Sequence, residues 1–127
     1  MARTRILYVE DNAANLALVR KVLEHAGAYE VVGCMTGEEG FTSAQADPPA
    51  LILLDLDLPG IDGFELARRL RAEPRLAAIP MVAISASVMK QERDQAIAAG
   101  CVHFIEKPFD IGELRAVVEQ VLRNAAT

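Results

Sequence analysis

The stretch LLDLDLPGIDG, residues 53–63, carries two carboxylates, Asp55 and Asp57, straight out of an apolar run. A buried carboxylate is costly unless it is paired or binds a metal. The chain therefore either leaves the core at Asp55 or builds a site there. Pro59-Gly60 is a turn signal, and Asp62-Gly63 reads as a turn and helix cap. The segment is thus the end of a strand, a turn and the start of a helix. What flanks it decides the architecture.

Working outward, short runs of β formers alternate with segments of helical spacing. The strands read as residues 5–10, 29–34, 50–55, 80–85 and 102–106, and the helices as 14–27, 37–46, 63–73, 88–100 and 111–125. The first helix places apolar residues at 18, 19, 22, 23 and 26, an inward-facing stripe. Alternation with short connections predicts a parallel sheet with helices on both faces, because each crossover is right-handed and needs a helix. The strands are almost continuously apolar, as a sheet covered on both sides requires. Five such units suit an α/β, flavodoxin-like (βα)5 fold with strand order 2-1-3-4-5.

The 127 residues suffice for one domain with a real core, read as residues 1–127 with no output domain. At 52% hydrophobic and 24% charged, the composition is that of a globular chain. A net charge of −5 argues against a nucleic-acid surface. No apolar run is long enough to span a membrane. Cys34 and Cys101 have no metal-ligand spacing and are expected as buried, reduced thiols, and the N-terminus has no leader pattern. From these features the cytoplasm is the expected compartment.

In open α/β sheets ligands sit beyond the carboxyl ends of the strands, near the switch point between strands one and three. The first strand delivers Glu10, Asp11 and Asn12 there, and the third delivers Asp55, with Asp57 two residues on. The fourth ends in Ser85, and the fifth runs into Lys107-Pro108. Clustered acids repel unless a cation holds them, and oxygen ligands without His or thiolate favour a hard ion such as Mg²⁺. A lysine and a hydroxyl opposite that ion suit a phosphoryl group, and a central carboxylate can itself accept one.

Four motifs, YVEDN, LLDLDLPGIDG, ISAS and FIEKPF, in that order on this alternation, resemble the receiver domain of two-component response regulators. The resemblance covers essentially the whole chain and implies a stand-alone receiver. It implies that Asp55 is the phosphoacceptor and that Mg²⁺ is held by Glu10, Asp11, Asp55 and the backbone carbonyl of Asp57. It further implies Ser85 as switch hydroxyl, Lys107 as phosphate partner, Phe104 as aromatic switch and a cis bond before Pro108. Glu10 stands where the family more often has Asp, so it is expected to reach the ion through water. The Asp57 side chain, at a position the family varies freely, is expected to modulate the reaction.

A histidine kinase or histidine phosphotransferase would supply the phosphoryl group, docking beside Ala13, Ala14, Asn15 and Leu18. The face made by helix four, strand five and helix five would then change its binding to a downstream protein. The chain would catalyse only its own phosphoryl transfer and autodephosphorylation. Alternatives are a receiver excised from a hybrid kinase, a binding module that never takes phosphate, and a phosphohydrolase resembling the haloacid dehalogenase class, whose motif DLDLP resembles. The last fits poorly, because the acid pair precedes the candidate nucleophile and no length remains for a cap.

Overall fold

In the computed structural model, residues 3–25, 27–86 and 89–126 are described. The chain alternates β1 (Thr4–Val9), α1 (Ala13–Glu24), β2 (Tyr29–Cys34), α2 (Gly37–Ala46), β3 (Leu51–Asp55), α3 (Gly63–Ala72), β4 (Met81–Ser85), α4 (Lys90–Ala98), β5 (His103–Glu106) and α5 (Ile111–Ala126). All strand pairs are parallel and the order is β2-β1-β3-β4-β5, the expected arrangement. Helix ends differ from expectation by a few residues, most at α1, which ends at Glu24, and at α4, which begins at Lys90 and ends at Ala98. The expected start of that helix at Val88 lies outside the described residues.

Side chains of successive strand residues point to opposite faces. Ile6, Tyr8, Leu51, Leu53, Val82 and Ile84 therefore meet Val19 and Leu23 of α1 and Leu114, Val117, Val118 and Val121 of α5. Leu7, Val9, Ile52, Leu54, Met81 and Ala83 face the opposite way, toward Ala44, Leu66, Leu70 and Ala96 of α2, α3 and α4. Every residue of β3 and β4 is buried, and each fully buried Leu or Ile contributes about 1.5–3 kcal/mol of hydrophobic stabilisation. The central strands are thus the rigid mount for whatever hangs at their ends.

The stripe expected on α1 is corrected at one position. Val19 and Leu23 are buried, but Leu18 is 48% exposed. Leu16, one turn before Val19, packs toward the core in its place. Ala26 lies outside the described residues.

Two glycines shape the loop after β3. Gly60 has φ 73°, a conformation that costs other residues more than glycine. At Gly63 a Cβ would lie 2.5 Å from the Asp55 carbonyl oxygen and 2.6 Å from Leu56 Cα. Only hydrogen fits between the first turn of α3 and the end of β3. Asp62 caps that helix, its Oδ1 accepting from the Glu65 amide at 2.9 Å. The helix is clamped onto the strand that carries Asp55.

Candidate functional site

The sheet ladder continues one residue past several strand ends. The Glu10 amide donates to the Cys34 carbonyl (2.9 Å), that of Leu56 to Ile84 (2.9 Å) and that of Lys107 to Ser85 (2.8 Å). These bonds fix the backbone at the rim, so the side chains of Glu10, Asp55, Ser85 and Lys107 emerge from anchored positions. Of the two alternatives at Asp55, leaving the core or building a site there, the first does not hold: Asp55 is the last residue of β3 and only 2% exposed. The second alternative holds, since its charge is buried with partners.

Those partners hold both carboxylate oxygens. The Asp57 amide donates to Asp55 Oδ1 at 2.8 Å, and the Lys107 ammonium donates to Asp55 Oδ2 at 2.9 Å. The same ammonium reaches Glu10 Oε2 at 3.2 Å. Breaking such a pair by removing one member typically costs about 3–5 kcal/mol, because the other charge stays buried alone. The Lys107–Pro108 bond is cis, and the chain turns there so that the lysine points back over the rim.

Glu10 is 1% exposed. The Tyr8 hydroxyl donates to its Oε2 (3.3 Å), while the Asn12 amide and Asn15 Nδ2 donate to Oε1 (both 3.3 Å). Burial, together with the neighbouring Asp55, pushes the Glu10 carboxyl above the usual carboxylate range, and Lys107 only partly opposes this. Burial draws the Lys107 ammonium down, but the two carboxylates outweigh it and the net shift is upward. Burial and the same two carboxylates push the Tyr8 hydroxyl up, so it remains a donor across neutral pH.

Tyr8 was not singled out from the sequence, and Asn15 was named only as part of a docking surface. Both had a signal: Tyr8 lies two residues before Glu10 on one strand face, and Asn15 lies on the first turn of the following helix. Asn12 caps α1, accepting from the Asn15 amide at 3.0 Å. The buried thiols stand apart from this chemistry: burial pushes Cys34 up and Cys101 up to about 11, leaving both protonated at neutral pH.

Glu10, Asp11 and Asp55 each offer a carboxylate oxygen, and these lie within 4.8 Å of one another, the one such group among the described residues. Asp11 is exposed, so the group opens to solvent on one side. An all-oxygen donor set with net negative charge fits a hard divalent cation.

Ser85 is fully buried at the end of β4. The Asp57 carboxylate turns toward it. Its Oδ2 accepts from the Ser85 hydroxyl (3.4 Å) and from the Ala86 amide (3.3 Å). Phe104 lies half-buried on β5 against the core, with the Arg93 guanidinium of α4 5.2 Å from the ring centroid. The exposed first turn of α1 adjoins the site. A groove of about 430 Å³ runs beside it, lined by Asn15, Leu18, Ala86, Lys107, Pro108 and Phe109.

Comparison with known proteins bears on this geometry. The family model for the response regulator receiver domain matches residues 6–119. The phosphate regulon transcriptional regulatory protein PhoB of Rhizobium meliloti is 38% identical over 121 residues, which cover 95% of this chain and 53% of PhoB. The chain spans about half the length of PhoB and of the similarly matched regulator RpaA of Synechocystis. The polar-differentiation response regulator DivK of Brucella ovis is 32% identical over 120 residues, 94% of this chain and 97% of DivK. Among solved structures, the receiver domain of the sensor histidine kinase PA1611 from Pseudomonas aeruginosa superposes with TM-score 0.87 at 30% identity, over 95% of this chain and 98% of that one. It holds a magnesium ion coordinated in its active-site cleft.

Proposed function

The chain belongs to the response regulator receiver domain family, a family of phosphorylation-dependent signalling switches, and from that premise we propose that Asp55 is the residue that takes the phosphoryl group. The single observation that carries this reading is the setting of Asp55. It is buried at the end of a central strand, in reach of two further carboxylates, with the Lys107 ammonium 2.9 Å from its Oδ2. A carboxylate oxygen of Asp55 attacks the phosphorus of a phosphohistidine, a P–O bond forms, and the P–N electron pair leaves with the imidazole. Lys107 holds the nucleophile in place and offers its charge to the incoming phosphoryl oxygens. The Ser85 hydroxyl donates to one of those oxygens and follows it, and Phe104 turns inward into the space vacated.

Mg²⁺ is the cation this site suits, and Asp11, Asp55, the Asp57 backbone carbonyl and Glu10 would hold it. Bound there, it would neutralise the charge that accumulates between the acids and the phosphoryl group. Both Glu10 oxygens already accept protein hydrogen bonds, which supports its contact through water rather than directly.

The groove beside α1, with exposed Leu18 and half-buried Phe109 flanking Lys107, suits the approach of a histidine kinase or histidine phosphotransferase. The output is altered binding of a downstream protein on the face of α4, β5 and α5. The chain catalyses its own phosphorylation and dephosphorylation and turns over no other substrate. No helix among the described residues is long and apolar enough to cross a membrane, and the cytoplasm is the compartment this reading requires. Labelling by acetyl phosphate or phosphoramidate, with and without Mg²⁺, tests it: wild type labels only with the metal, and Asp55→Asn does not label. Label retained in Asp55→Asn would move the acceptor elsewhere.

A further inference from the structure

We propose that the Asp57 carboxylate is a built-in stand-in for the phosphoryl group, occupying in the unphosphorylated chain the two donors that an aspartyl-phosphate would take over. The proposal rests on Asp55 being the acceptor and concerns what must move before it can be used. Two donors from the end of β4, the Ser85 hydroxyl and the Ala86 amide, converge on one oxygen, Asp57 Oδ2, at 3.4 and 3.3 Å. Convergence of a hydroxyl and a backbone N–H on a single point is the geometry of an oxyanion site. Here that point already holds an anionic oxygen from the chain itself.

The lengths of these bonds matter. Charge-assisted hydrogen bonds of full strength are shorter, about 2.7–2.9 Å for N–H donors. The carboxylate is therefore held loosely, and Asp57 is exposed, so it can swing into water at small cost. Its backbone stays put meanwhile, because the Asp57 amide is tied to Asp55 Oδ1 at 2.8 Å. The side chain can thus leave the donors while the main chain keeps its place in the site.

A phosphoryl oxygen on Asp55 has to displace Asp57 Oδ2 before Ser85 and Ala86 can hold it. The residue therefore favours the unphosphorylated arrangement and sets how readily the β4 end is captured. Simple repulsion between two anions differs from this in its consequences. Repulsion depends on charge alone, so Asn and Ala at position 57 should relieve it equally. A stand-in depends on an acceptor atom, which Asn retains in weakened form and Ala lacks.

The experiment uses initial rates of Mg²⁺-dependent phosphorylation by acetyl phosphate, read beside the amide resonance of Ala86 in the metal-free, unphosphorylated chain. We expect Asp57→Asn to raise the rate about three-fold and Asp57→Ala about ten-fold. The Ala86 amide proton should move in the same order, further for Ala than for Asn. The resonance is also followed in an Asp55→Asn background, where no labelling is possible, so the contact is judged separately from the acceptor. Equal rates for Asn and Ala, or an Ala86 resonance unmoved by both, overturns the proposal. Absence of label in wild type overturns the acceptor reading, and with it this role for Asp57, even where the Ala86 contact is found.

Discussion

The two halves of this site are mounted differently. One half rests on β1, β3 and the turn after β5. There Glu10 is 1% exposed with four donors around it, and Lys107 bridges it to Asp55. The helices behind it are well seated: α1 buries Val19 and Leu23, and α5 buries Leu114, Val117, Val118 and Val121. Asp110 caps α5, accepting from the Glu113 amide at 3.1 Å. The other half rests on the end of β4 and on α4. Among the described residues that nine-residue helix buries Ala96 alone. Its Ile97 and the preceding Met89 are 58% and 61% exposed. Few buried apolar contacts are what local stability is lost through. On the proposed reading, the half that would bind the metal and phosphoryl group is the firmly seated one, and the half that would report is the loosely seated one.

The sharpest way to break this contrast is to weaken each helix by truncating one apolar side chain. Leu114→Ala in α5 should lower the unfolding free energy by about 2–5 kcal/mol, the usual cost of a cavity at a buried leucine. Ile97→Ala in α4 should change it by about 0.5 kcal/mol or less, as for exposed positions. Urea unfolding of both variants checks the pair. Similar losses would mean that α4 is as firmly seated as α5.

This asymmetry was only partly legible in the sequence. The order of strands followed from alternation, because apolar runs of five or six residues can be buried on both faces only in a covered parallel sheet. The convergence of Glu10, Asp55, Ser85 and Lys107 followed from topology, since strand ends in such a sheet share one rim. Side-chain direction did not follow. Leu18 satisfied helical periodicity but faces out, because Leu16 fills the space against the sheet instead. Asp57 could have pointed into solvent or toward the metal position, and only the placement of the β4 end shows that its carboxylate meets Ser85 and Ala86. Nothing in the apolar pattern of the first strand sets Tyr8 apart; only the fold brings its hydroxyl to Glu10.

The firmly built half makes its own prediction about pH. Burial and Asp55 raise the Glu10 carboxyl above the usual range, so ionised Glu10 is less favourable in the folded chain than in the unfolded one. In the metal-free protein its contribution therefore becomes more favourable as pH falls through the raised value, and less favourable as pH rises. Metal binding has the opposite dependence, because a ligand or water-bridged partner must be ionised. Mg²⁺ affinity should fall by up to about ten-fold per pH unit, roughly 1.4 kcal/mol, once pH drops below the raised Glu10 value, above where ordinary carboxylates titrate. Asp11 and Lys107 face the same position, so the control is Glu10→Gln, which should bind more weakly at neutral pH and lose this upper part of the dependence. Titrations at several pH values, read by calorimetry, check it. An identical pH profile in the variant would show that Glu10 does not couple to the metal.

The smallest effect is expected where the two halves meet, at the Arg93–Phe104 contact. Arg93 is exposed on α4, and its guanidinium lies 5.2 Å from the Phe104 centroid. A cation–π contact at an exposed site is worth about 0.5–1 kcal/mol. In the unphosphorylated chain that energy holds the ring where it is, half-buried on β5, and inward rotation of Phe104 gives it up. Removing the cation should therefore bias the ring inward without touching Asp55, Lys107 or the metal ligands. For Arg93→Ala we expect the inward population to rise about two- to five-fold before any phosphoryl donor is added. Aromatic side-chain NMR of Phe104 reads that population directly, and Arg93→Lys, which keeps a cation but not the planar stack, should fall between the two. Mg²⁺ affinity should stay at the wild-type value throughout. If the Phe104 signals of Arg93→Ala match wild type, the ring is held by core packing alone. The loosely seated half would then reach β5 through α4 as a body rather than through this contact.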